Sequence, residues 1–431
     1  MSHRARQLKV SSLARVEGEG ALHVTVRDGV VERADLQIYE PPRFFEALLR
    51  GRSYTEPPDI TARICGICPV AYQTSACNAI EDACGVRIDG AIRELRRLLY
   101  CGEWISSHAL HIYLLHAPDF LGYPDAIALA TDHREIVERG LLLKKAGNAI
   151  LDLVGGRAIH PINVRVGGFY SAPDHARLDR LAQQLRPALD AAVATVRWVA
   201  GFDFPDLELE HELLAAHDPA RYAIESGTSL RRSAGTGFEV DAFSNHIVEQ
   251  QVPHSTALHA SLDGGRYLTG PLARYTLNRA QLSPLASRLA AEAGLGGECR
   301  NPFRSIVVRA VETVYAVEEA LRLIEAYRPP EPPYVVVPAR DGVGHGVSEA
   351  PRGLLYHRYE IGADGLVRSA TIVPPTAQNQ AAIEDDLRQV VAANLELGDQ
   401  PLTGLCERTI RNYDPCISCS THFLDLTVER Q

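Results

Sequence analysis

Two short cysteine motifs stand near opposite ends of the chain and restrict its fold more than any other feature. Cys65 and Cys68 are separated by two residues, and so are Cys416 and Cys419. Between the two motifs lie 347 residues of a chain of 431. If one centre uses all four sulfurs, the two ends of the chain must meet at a buried site.

Each C-x-x-C motif has a spacing that lets two thiolates bind one metal centre. Gly66 favours the tight turn, and Pro69 predicts that Cys68 lies at a helix N-terminus, where the helix dipole favours the thiolate. Four thiolates suit zinc, an iron-sulfur cluster or another soft metal. A zinc ribbon usually closes a loop of about 15–20 residues, which the long gap does not match. Redox-active pairs and two unrelated pairs of core cysteines are the alternatives.

The composition is that of a globular protein with reduced thiols. Apolar residues make up 46% and charged residues 23%, and the net charge of -10 argues against a general nucleic-acid binder. Nine cysteines without a signal-peptide pattern indicate free thiols or metal ligands. Since no stretch has about 18 uninterrupted apolar residues, we expect a cytoplasmic chain without membrane insertion.

Hydrophobic periodicity predicts an α+β fold that is mainly helical, with a large multi-helix core and β-hairpins near both ends. Alternating residues predict hairpins that turn at Asp28-Gly29 and at 363–365. Helical spacing predicts long helices over 69–84, 91–116, 133–155, 175–200, 280–294 and 303–327, and further helices from about 381 and near 403. Pro187 predicts a kink or a break in its helix. Residues 203–275 are rich in turn formers and predict short strands and loops.

Two other patterns suggest binding sites but have simpler interpretations. His108, His111 and His116 share one predicted helix without an H-E-x-x-H motif, which favours packed or hydrogen-bonded histidines over metal ligands. The segment "DGVGHG" at 341–346 lacks the lysine of a phosphate-binding loop and is not followed by a clear helix, so we do not assign it to a nucleotide.

The residues on either side of the cysteines are more specific than the spacing of the cysteines alone. The first motif reads Arg63-Ile-Cys-Gly-Ile-Cys and the second Asp414-Pro-Cys-Ile-Ser-Cys-Ser-Thr-His. Together they resemble the R-x-C-G-x-C and D-P-C-x-x-C-x-x-H motifs of the large subunit of nickel-iron hydrogenases. Weaker similar segments are "RVEGEG" at Arg15, "RFFE" at Arg43, "GGRAIHP" at Gly155, "GPLAR" at Gly270 and "EAPRG" at Glu349. The chain most resembles the cytosolic, NAD(P)-linked members, including the sulfhydrogenase type.

The resemblance implies a nickel-iron centre and the reaction H2 ⇌ 2H+ + 2e-. Cys65 and Cys416 would bind nickel terminally, and Cys68 and Cys419 would bridge nickel to an iron that carries carbon monoxide and cyanide. Cys416 would accept the proton and pass it to Glu17, a role for which Glu19 is the competing carboxylate.

Further residues follow from the same resemblance. Arg352 would balance the negative charge of the centre, Pro351 would help to enclose the iron ligands, and Asp414 would pair with Arg352 or cap the last turn. Glu46 and His422 would hold a second ion, magnesium or iron.

Two departures from the best-known members concern the surroundings of the metals. Tyr72 stands where many members have a histidine bonded to a bridging sulfur, and Ser107 where many have an aspartate. At these two positions the resemblance predicts neither the hydrogen bond to that sulfur nor the charge arrangement around Arg352.

The resemblance also implies partners and processing. Iron-sulfur clusters would lie only in a small partner subunit, with a flavin- and NAD(P)-binding diaphorase module beyond it. Metal-loading factors and a maturation protease would act on the precursor, so that 1–422 is one catalytic domain and 423–431 a propeptide. A hydrogen sensor and a redox scaffold related to complex I are the rival functions.

Overall fold

Three-stranded antiparallel sheets form near both ends of the chain, as the alternating residues predict. The computed structural model describes residues 6–208 and 210–421. The first sheet contains β1 (Arg6–Val10), β2 (Gly20–Arg27) and β3 (Val30–Ile38). Asp28 and Gly29 join β2 to β3 with φ values of 51° and 77°, which is the left-handed backbone of a two-residue hairpin turn.

Between the sheets, the chain is dominated by helices. The helices are α1 (Phe45–Leu49), α2 (Pro57–Thr61), α3 (Pro69–Ala83), α4 (Gly90–Ala109), α5 (Ala117–Leu121), α6 (Ala126–Asp132), α7 (Arg134–Gly155), α8 (His175–Ala200), α9 (Phe243–His246), α10 (Pro271–Asn278), α11 (Pro284–Glu292), α12 (Ser305–Glu325), α13 (Pro375–Ala392) and α14 (Asp399–Asn412). This arrangement confirms the predicted mainly helical α+β fold. None of the described helices combines the length and apolarity needed to cross a membrane.

The core is built where four long helices pack together. Helix α4 lies against both α7 and α12, and α12 also packs against α8. The backbones of α4 and α7 approach closely at Gly102 and Gly147: a Cβ on Gly147 would lie 2.6 Å from the carbonyl oxygen of Gly102. Of the kink or break predicted at Pro187, the structure excludes the break, because α8 continues through this residue.

The helix predicted over 91–116 has a different geometry in its last turns. After α4, residues Leu110–His116 form a π-helical segment that leads into α5. A π-helix contains an extra residue per turn and changes the direction of the side chains that follow. Periodicity of 3.6 residues did not distinguish the two forms.

The middle of the chain forms short strands, as expected for residues 203–275. Two short strands, β4 (Val164–Arg165) and β5 (Gly168–Phe169), precede this region, and the strands within it are β6 (Glu212–His217), β7 (Ser229–Arg232), β8 (Phe238–Glu239), β9 (Ile247–Gln251), β10 (Leu258–Leu262) and β11 (Tyr267–Leu268). Strands β9 and β10 form an antiparallel hairpin, and the order β11-β6-β7-β8 forms a small mixed sheet.

The second large sheet lies directly on α3. It contains β12 (Gly342–Ala350), β13 (Gly353–Ile361) and β14 (Val367–Val373) in that order, with the predicted turn at 363–365. Three glycines of "DGVGHG" face α3, and a Cβ on Gly346 would lie 2.5 Å from the backbone nitrogen of Ala79. These glycines therefore allow a strand to pack closely on a helix.

Candidate metal centre

The two cysteine motifs meet in the structure, although they belong to opposite ends of the chain. Cys65 and Cys68 lie in the turn between α2 and α3, and Cys68 is the N-cap of α3, as Pro69 predicts. Cys416 and Cys419 follow the end of α14, and Cys419 lies in a short 3-10 turn.

The four sulfurs form one buried cluster. Cys65 Sγ lies 3.4 Å from Cys416 Sγ, and Cys68 Sγ lies 3.5 Å from Cys419 Sγ. All four sulfurs lie within 4.8 Å of one another, and none of the residues is more than 3% exposed. Tetrahedral binding with metal–sulfur bonds of about 2.3 Å separates ligand sulfurs by about 3.8 Å, so the cluster matches metal coordination.

The electrostatics of the cluster also fit a bound cation. Burial raises the pKa of both Cys416 and Cys419 above that of an ordinary thiol, since four adjacent thiolates in an apolar interior repel one another. A bound metal ion compensates this charge and holds the thiols deprotonated. The donor set therefore fits a centre of soft, redox-active metals.

Glu17 contacts the cluster through its side chain and its backbone. Cys416 Sγ donates to Glu17 Oε2 at 3.2 Å, and the Ser418 backbone N–H donates to the same oxygen at 3.1 Å. Burial raises the pKa of Glu17 above the ordinary carboxyl value, while these two hydrogen bonds oppose the shift. Glu19, the competing carboxylate, is exposed.

Arg352 and Asp414 form a buried pair beside the sulfurs. Arg352 donates from Nε to the Asp414 carbonyl oxygen at 2.8 Å and from Nη2 to Asp414 Oδ1 at 3.1 Å. Burial would lower the pKa of Arg352, but the charges of Asp414 and Cys416 raise it. Its Nη1 is buried and has no hydrogen-bond partner among the described residues, so it can donate to an anionic ligand of the metals. Pro351 is also buried.

Two residues that sequence reasoning missed hold the cysteine motifs in place. The Glu103 carboxylate accepts from the backbone N–H groups of Val70 at 2.6 Å and Ala71 at 3.1 Å, at the start of α3. The Thr376 hydroxyl accepts from the Cys416 backbone N–H at 3.0 Å. A carboxylate between Cys101 and Trp104, both apolar core residues, was the available signal for Glu103.

A third missed residue, Arg274 of "GPLAR", supports the loop that presents Arg352. Arg274 is fully buried and donates to the carbonyl oxygens of Ala350 at 2.8 Å and Pro351 at 3.0 Å. Gly270 of the same motif has a φ of 104°, and a Cβ there would lie 2.7 Å from the Arg352 carbonyl oxygen. The two weaker motifs "GPLAR" and "EAPRG" are therefore in direct contact.

The two unusual positions, Tyr72 and Ser107, are both buried. Burial and the nearby Cys419 sulfur raise the pKa of Tyr72 well above its ordinary value. Its hydroxyl therefore stays protonated and is available as a donor to sulfur, as a histidine would be. The Ser107 hydroxyl has no hydrogen-bond partner among the described residues.

For the second predicted metal site, the structure describes only one of the two ligands. Glu46 lies at the start of α1 and accepts from the Ile372 backbone N–H at 2.7 Å. His422 lies outside the described residues, but the Arg43 backbone N–H donates to the carbonyl oxygen of Thr421, next to it, at 2.7 Å. The "RFFE" segment and the C-terminal motif are therefore adjacent.

The three histidines of the predicted 91–116 helix do not form a metal cluster within the described parts of the chain. Each has a protein partner: His108 Nε2 lies 3.0 Å from Glu312 Oε2, His111 Nε2 lies 2.8 Å from the Arg411 carbonyl oxygen, and His116 Nε2 lies 2.9 Å from Asn412 Oδ1. This agrees with the interpretation as packed or hydrogen-bonded histidines.

Comparison with known proteins identifies the metals of the four-cysteine cluster. Residues 43–140 and 268–422 match the family described as nickel-dependent hydrogenase. The alpha subunit of sulfhydrogenase 1 from Pyrococcus furiosus is 34% identical over 97% of this chain and 98% of its own length. The alpha subunit of sulfhydrogenase 2 from the same organism is 35% identical, over 97% and 100%.

A solved structure agrees with these relatives along the whole chain. The crystal structure of an NAD+-reducing [NiFe]-hydrogenase in the H2-reduced state has a TM-score of 0.85 and 26% identity, covering 97% of this chain and 99% of that one. The match includes both cysteine motifs, which the structure brings together. The chain belongs to the nickel-dependent hydrogenase family and is the catalytic large subunit of a nickel-iron hydrogenase.

Proposed function

We propose that this chain oxidises H2 reversibly by heterolytic cleavage and exchanges the electrons with NAD(P) through partner subunits. One observation carries the proposal: the carboxylate of Glu17 is hydrogen-bonded to a sulfur of the four-cysteine cluster. A nickel-iron group bound there supplies two-electron redox chemistry. Cys65 and Cys416 would bind nickel terminally, while Cys68 and Cys419 would bridge to iron.

The proton leaves the centre through side chains of this chain. The Cys416 thiolate accepts it and Glu17, within 3.2 Å, receives it from the sulfur. Glu40 is the next carboxylate on this side of the centre: the Ser418 backbone N–H donates to Glu17, and the Ser418 hydroxyl donates to Glu40 Oε2 at 3.1 Å. Glu40 is half-buried, so this short row of groups leads from the buried sulfurs towards solvent.

Arg352 keeps the centre electrically balanced. Its guanidinium remains charged at any working pH, and Asp414 fixes its orientation. The unpaired Nη1 would donate to a cyanide on iron, while the buried Pro351 would exclude water from the carbon monoxide and cyanide ligands. The second ion, magnesium or iron, would bind Glu46 and His422.

Electrons would pass to a separate protein. Among the described residues, only Cys65, Cys68, Cys416 and Cys419 form a cysteine cluster, so iron-sulfur clusters would lie in a small subunit. The relatives are named as alpha subunits, and one solved neighbour reduces NAD+. These names support a heteromeric complex that is linked to NAD+. We further propose that it includes a flavin-containing diaphorase module and lies in the cytoplasm.

The final nine residues would be a propeptide. Residues 1–422 form the catalytic domain in this proposal, and a maturation protease removes 423–431 after metal-loading factors have inserted nickel. Mass spectrometry of active, nickel-containing enzyme should then show a chain that ends at His422. An intact tail in the active enzyme would contradict this step.

The central test is spectroscopy and turnover of the complex purified after nickel-supplemented expression with maturation factors. We expect nickel and iron near 1:1 on this chain, infrared bands of carbon monoxide and cyanide, and H2-dependent reduction of NAD+ or NADP+. Absence of nickel would refute the proposal. Intact infrared bands with H2 turnover too slow to reduce NAD(P) would instead indicate a sensor.

A further inference from the structure

A second group of metal-binding side chains lies apart from the cysteine cluster. His254, His259 and Glu384 each offer a ligand atom, and these atoms all lie within 4.8 Å of one another. His254 lies in the turn between β9 and β10, His259 lies on β10, and Glu384 lies on α13. None of these residues has a role in the proposed hydrogenase reaction.

The donors of this group are already partly oriented. His254 Nε2 lies 2.7 Å from Glu384 Oε1, which also accepts from the Leu36 backbone N–H at 3.0 Å. The rings of His254 and His259 are nearly perpendicular, at 86°, with centroids 5.5 Å apart. Zinc with bonds of about 2.1 Å separates tetrahedral ligand atoms by about 3.4 Å, so small side-chain movements bring the three donors into a coordination shell.

The strongest sign of a missing ligand is the ring of His259. The residue is only 4% exposed, and its Nε2 has no hydrogen-bond partner among the described residues. Buried polar atoms in proteins are nearly always satisfied, and one that is not needs a specific explanation such as an ion. A metal ion bound by His254 and Glu384 would satisfy this nitrogen as well.

We propose that His254, His259 and Glu384 bind one divalent transition-metal ion of the zinc class, with water in the fourth position. Two imidazoles and one carboxylate suit zinc better than magnesium or calcium, which prefer oxygen ligands. The His254 side chain is 18% exposed, which gives the ion and the water access from solvent.

The site would connect the β9–β10 hairpin to the helix that supports the nickel-iron centre. Helix α13 carries Glu384 and, eight residues earlier, Thr376, whose hydroxyl accepts from the Cys416 backbone. The two positions are about 12 Å apart along the helix axis. A metal at Glu384 would therefore restrain the helix that holds Cys416 and stabilise the folded chain.

The test is zinc binding to the purified hydrogenase complex after dialysis against a mild chelator. Zinc alone is added, and the zinc content per large subunit is measured by elemental analysis. The zinc ligands are identified by zinc K-edge X-ray absorption. We expect one equivalent with only nitrogen and oxygen ligands, and a rise of several degrees in the thermal midpoint. Neither the bound zinc nor the rise in the thermal midpoint should be seen in the variants His259→Ala, His259→Gln and Glu384→Gln.

A matched control lies next to the same hairpin, because His246 directly precedes β9. His246 pairs with Asp263 at 2.9 Å but belongs to no group of three metal-binding donors among the described residues, so His246→Ala should retain the zinc. The infrared spectrum and nickel content of each variant show whether the main centre is intact, which separates this proposal from the hydrogenase function. Equal zinc content in the wild type and in folded His259→Gln, or sulfur in the zinc shell, would overturn the inference.

Discussion

Glu17 owes its position to its backbone as much as to its carboxylate. Its carbonyl oxygen accepts from the Ile417 backbone N–H at 3.0 Å, and residues 17 and 416 form an isolated parallel bridge. Gly18 follows with a φ of 89°, and a Cβ there would lie 2.6 Å from the Cβ of Ile417. The glycine therefore lets the N-terminal segment lie against the C-terminal motif.

Replacing Glu17 should remove the proton acceptor without removing the metals. We expect Glu17→Gln to lower H2 oxidation by about 100-fold or more, since a positioned acid–base group contributes about 10²–10⁴ in rate. The measurement is H2 uptake together with nickel content and the infrared spectrum. Glu19→Gln, the exposed neighbour, should leave all three unchanged; equal activity in the two variants would exclude the proposed relay.

Arg274 has no contact with the sulfurs, but it links three buried acceptors near the centre. It donates to Glu312 Oε1 at 2.8 Å and Oε2 at 2.9 Å, and to Glu349 Oε2 at 3.1 Å. The pairing lowers the pKa of Glu312 to about 2 despite the burial that opposes it. Arg274 is therefore a positioning residue for the loop that carries Arg352.

Loss of Arg274 should be costly because two carboxylates would remain buried without their cation. We expect Arg274→Leu to lower the free energy of unfolding by about 3–5 kcal/mol and to reduce nickel incorporation. Chemical denaturation and elemental analysis measure these effects. Arg279 is exposed, so Arg279→Leu should change stability by less than about 0.5 kcal/mol. An equally small change for Arg274→Leu would contradict the proposal that Arg274 supports the Arg352 loop.

At the scale of elements, the contact between α3 and β12 depends on the absence of side chains. Gly342, Gly344 and Gly346 alternate along β12 and face the backbone of α3 near Ala79 and Ala83. Each step of two residues returns to the same face of a strand. The "DGVGHG" pattern therefore reflects packing. It holds α3, whose N-terminus carries Cys68, against the sheet that leads to Arg352.

A methyl group at this contact should push the strand and the helix apart. We expect Gly344→Ala to destabilise the protein by at least about 1–3 kcal/mol, since overpacking a buried contact forces backbone shifts. Gly404 in α14 is exposed and has no atom within 4 Å of an added Cβ. Gly404→Ala should therefore be neutral or stabilising by up to about 1 kcal/mol, and unfolding midpoints of both variants test the difference.

The π-helical segment after α4 is an element that sequence periodicity did not predict. It places His111 and His116 against the end of α14, where they contact Arg411 and Asn412 just before the last cysteine motif. These contacts join residues that lie about 300 positions apart in the chain, so local periodicity carries no sign of them.

At the scale of the whole molecule, the first and last of the segments that the structure describes are bound to each other. Arg15 and Arg411 both pair with Asp119, and Arg411 also donates to the Ala14 carbonyl oxygen at 3.1 Å. The Arg6 side chain donates to the carbonyl oxygen of Leu395 at 2.9 Å. These contacts close the chain around the cysteine cluster.

Metal binding should complete this closure and depend on each cysteine of the cluster. We expect Cys416→Ser to abolish nickel incorporation and to expose the C-terminal motif to limited proteolysis. Cys406 is equally buried in α14 but lies outside the cluster. The variant Cys406→Ser should therefore retain nickel, and its C-terminal motif should stay protected from the protease. Nickel analysis and mapping of protease sites compare the two; nickel retained by Cys416→Ser would contradict the ligand assignment.

Local patterns predicted those features that depend only on nearby residues. Alternation located the hairpin at Asp28-Gly29, helical spacing located α7 and α12, and Pro69 located the start of α3. The flanks of the two cysteine motifs were specific enough to indicate the family. Each of these signals lies within a few residues of chain, where backbone geometry and propensity act.

Tertiary structure decided which distant residues share one environment. Only the folded chain separates Glu17 from Glu19, directs Arg274 to the Arg352 loop, and places His259 beside Glu384. Burial and hydrogen bonding between residues that are far apart in the chain leave no periodic trace in a sequence, because they depend on the packing of whole elements. The cysteines thus indicated which ends of the chain must meet, and packing determined what surrounds them.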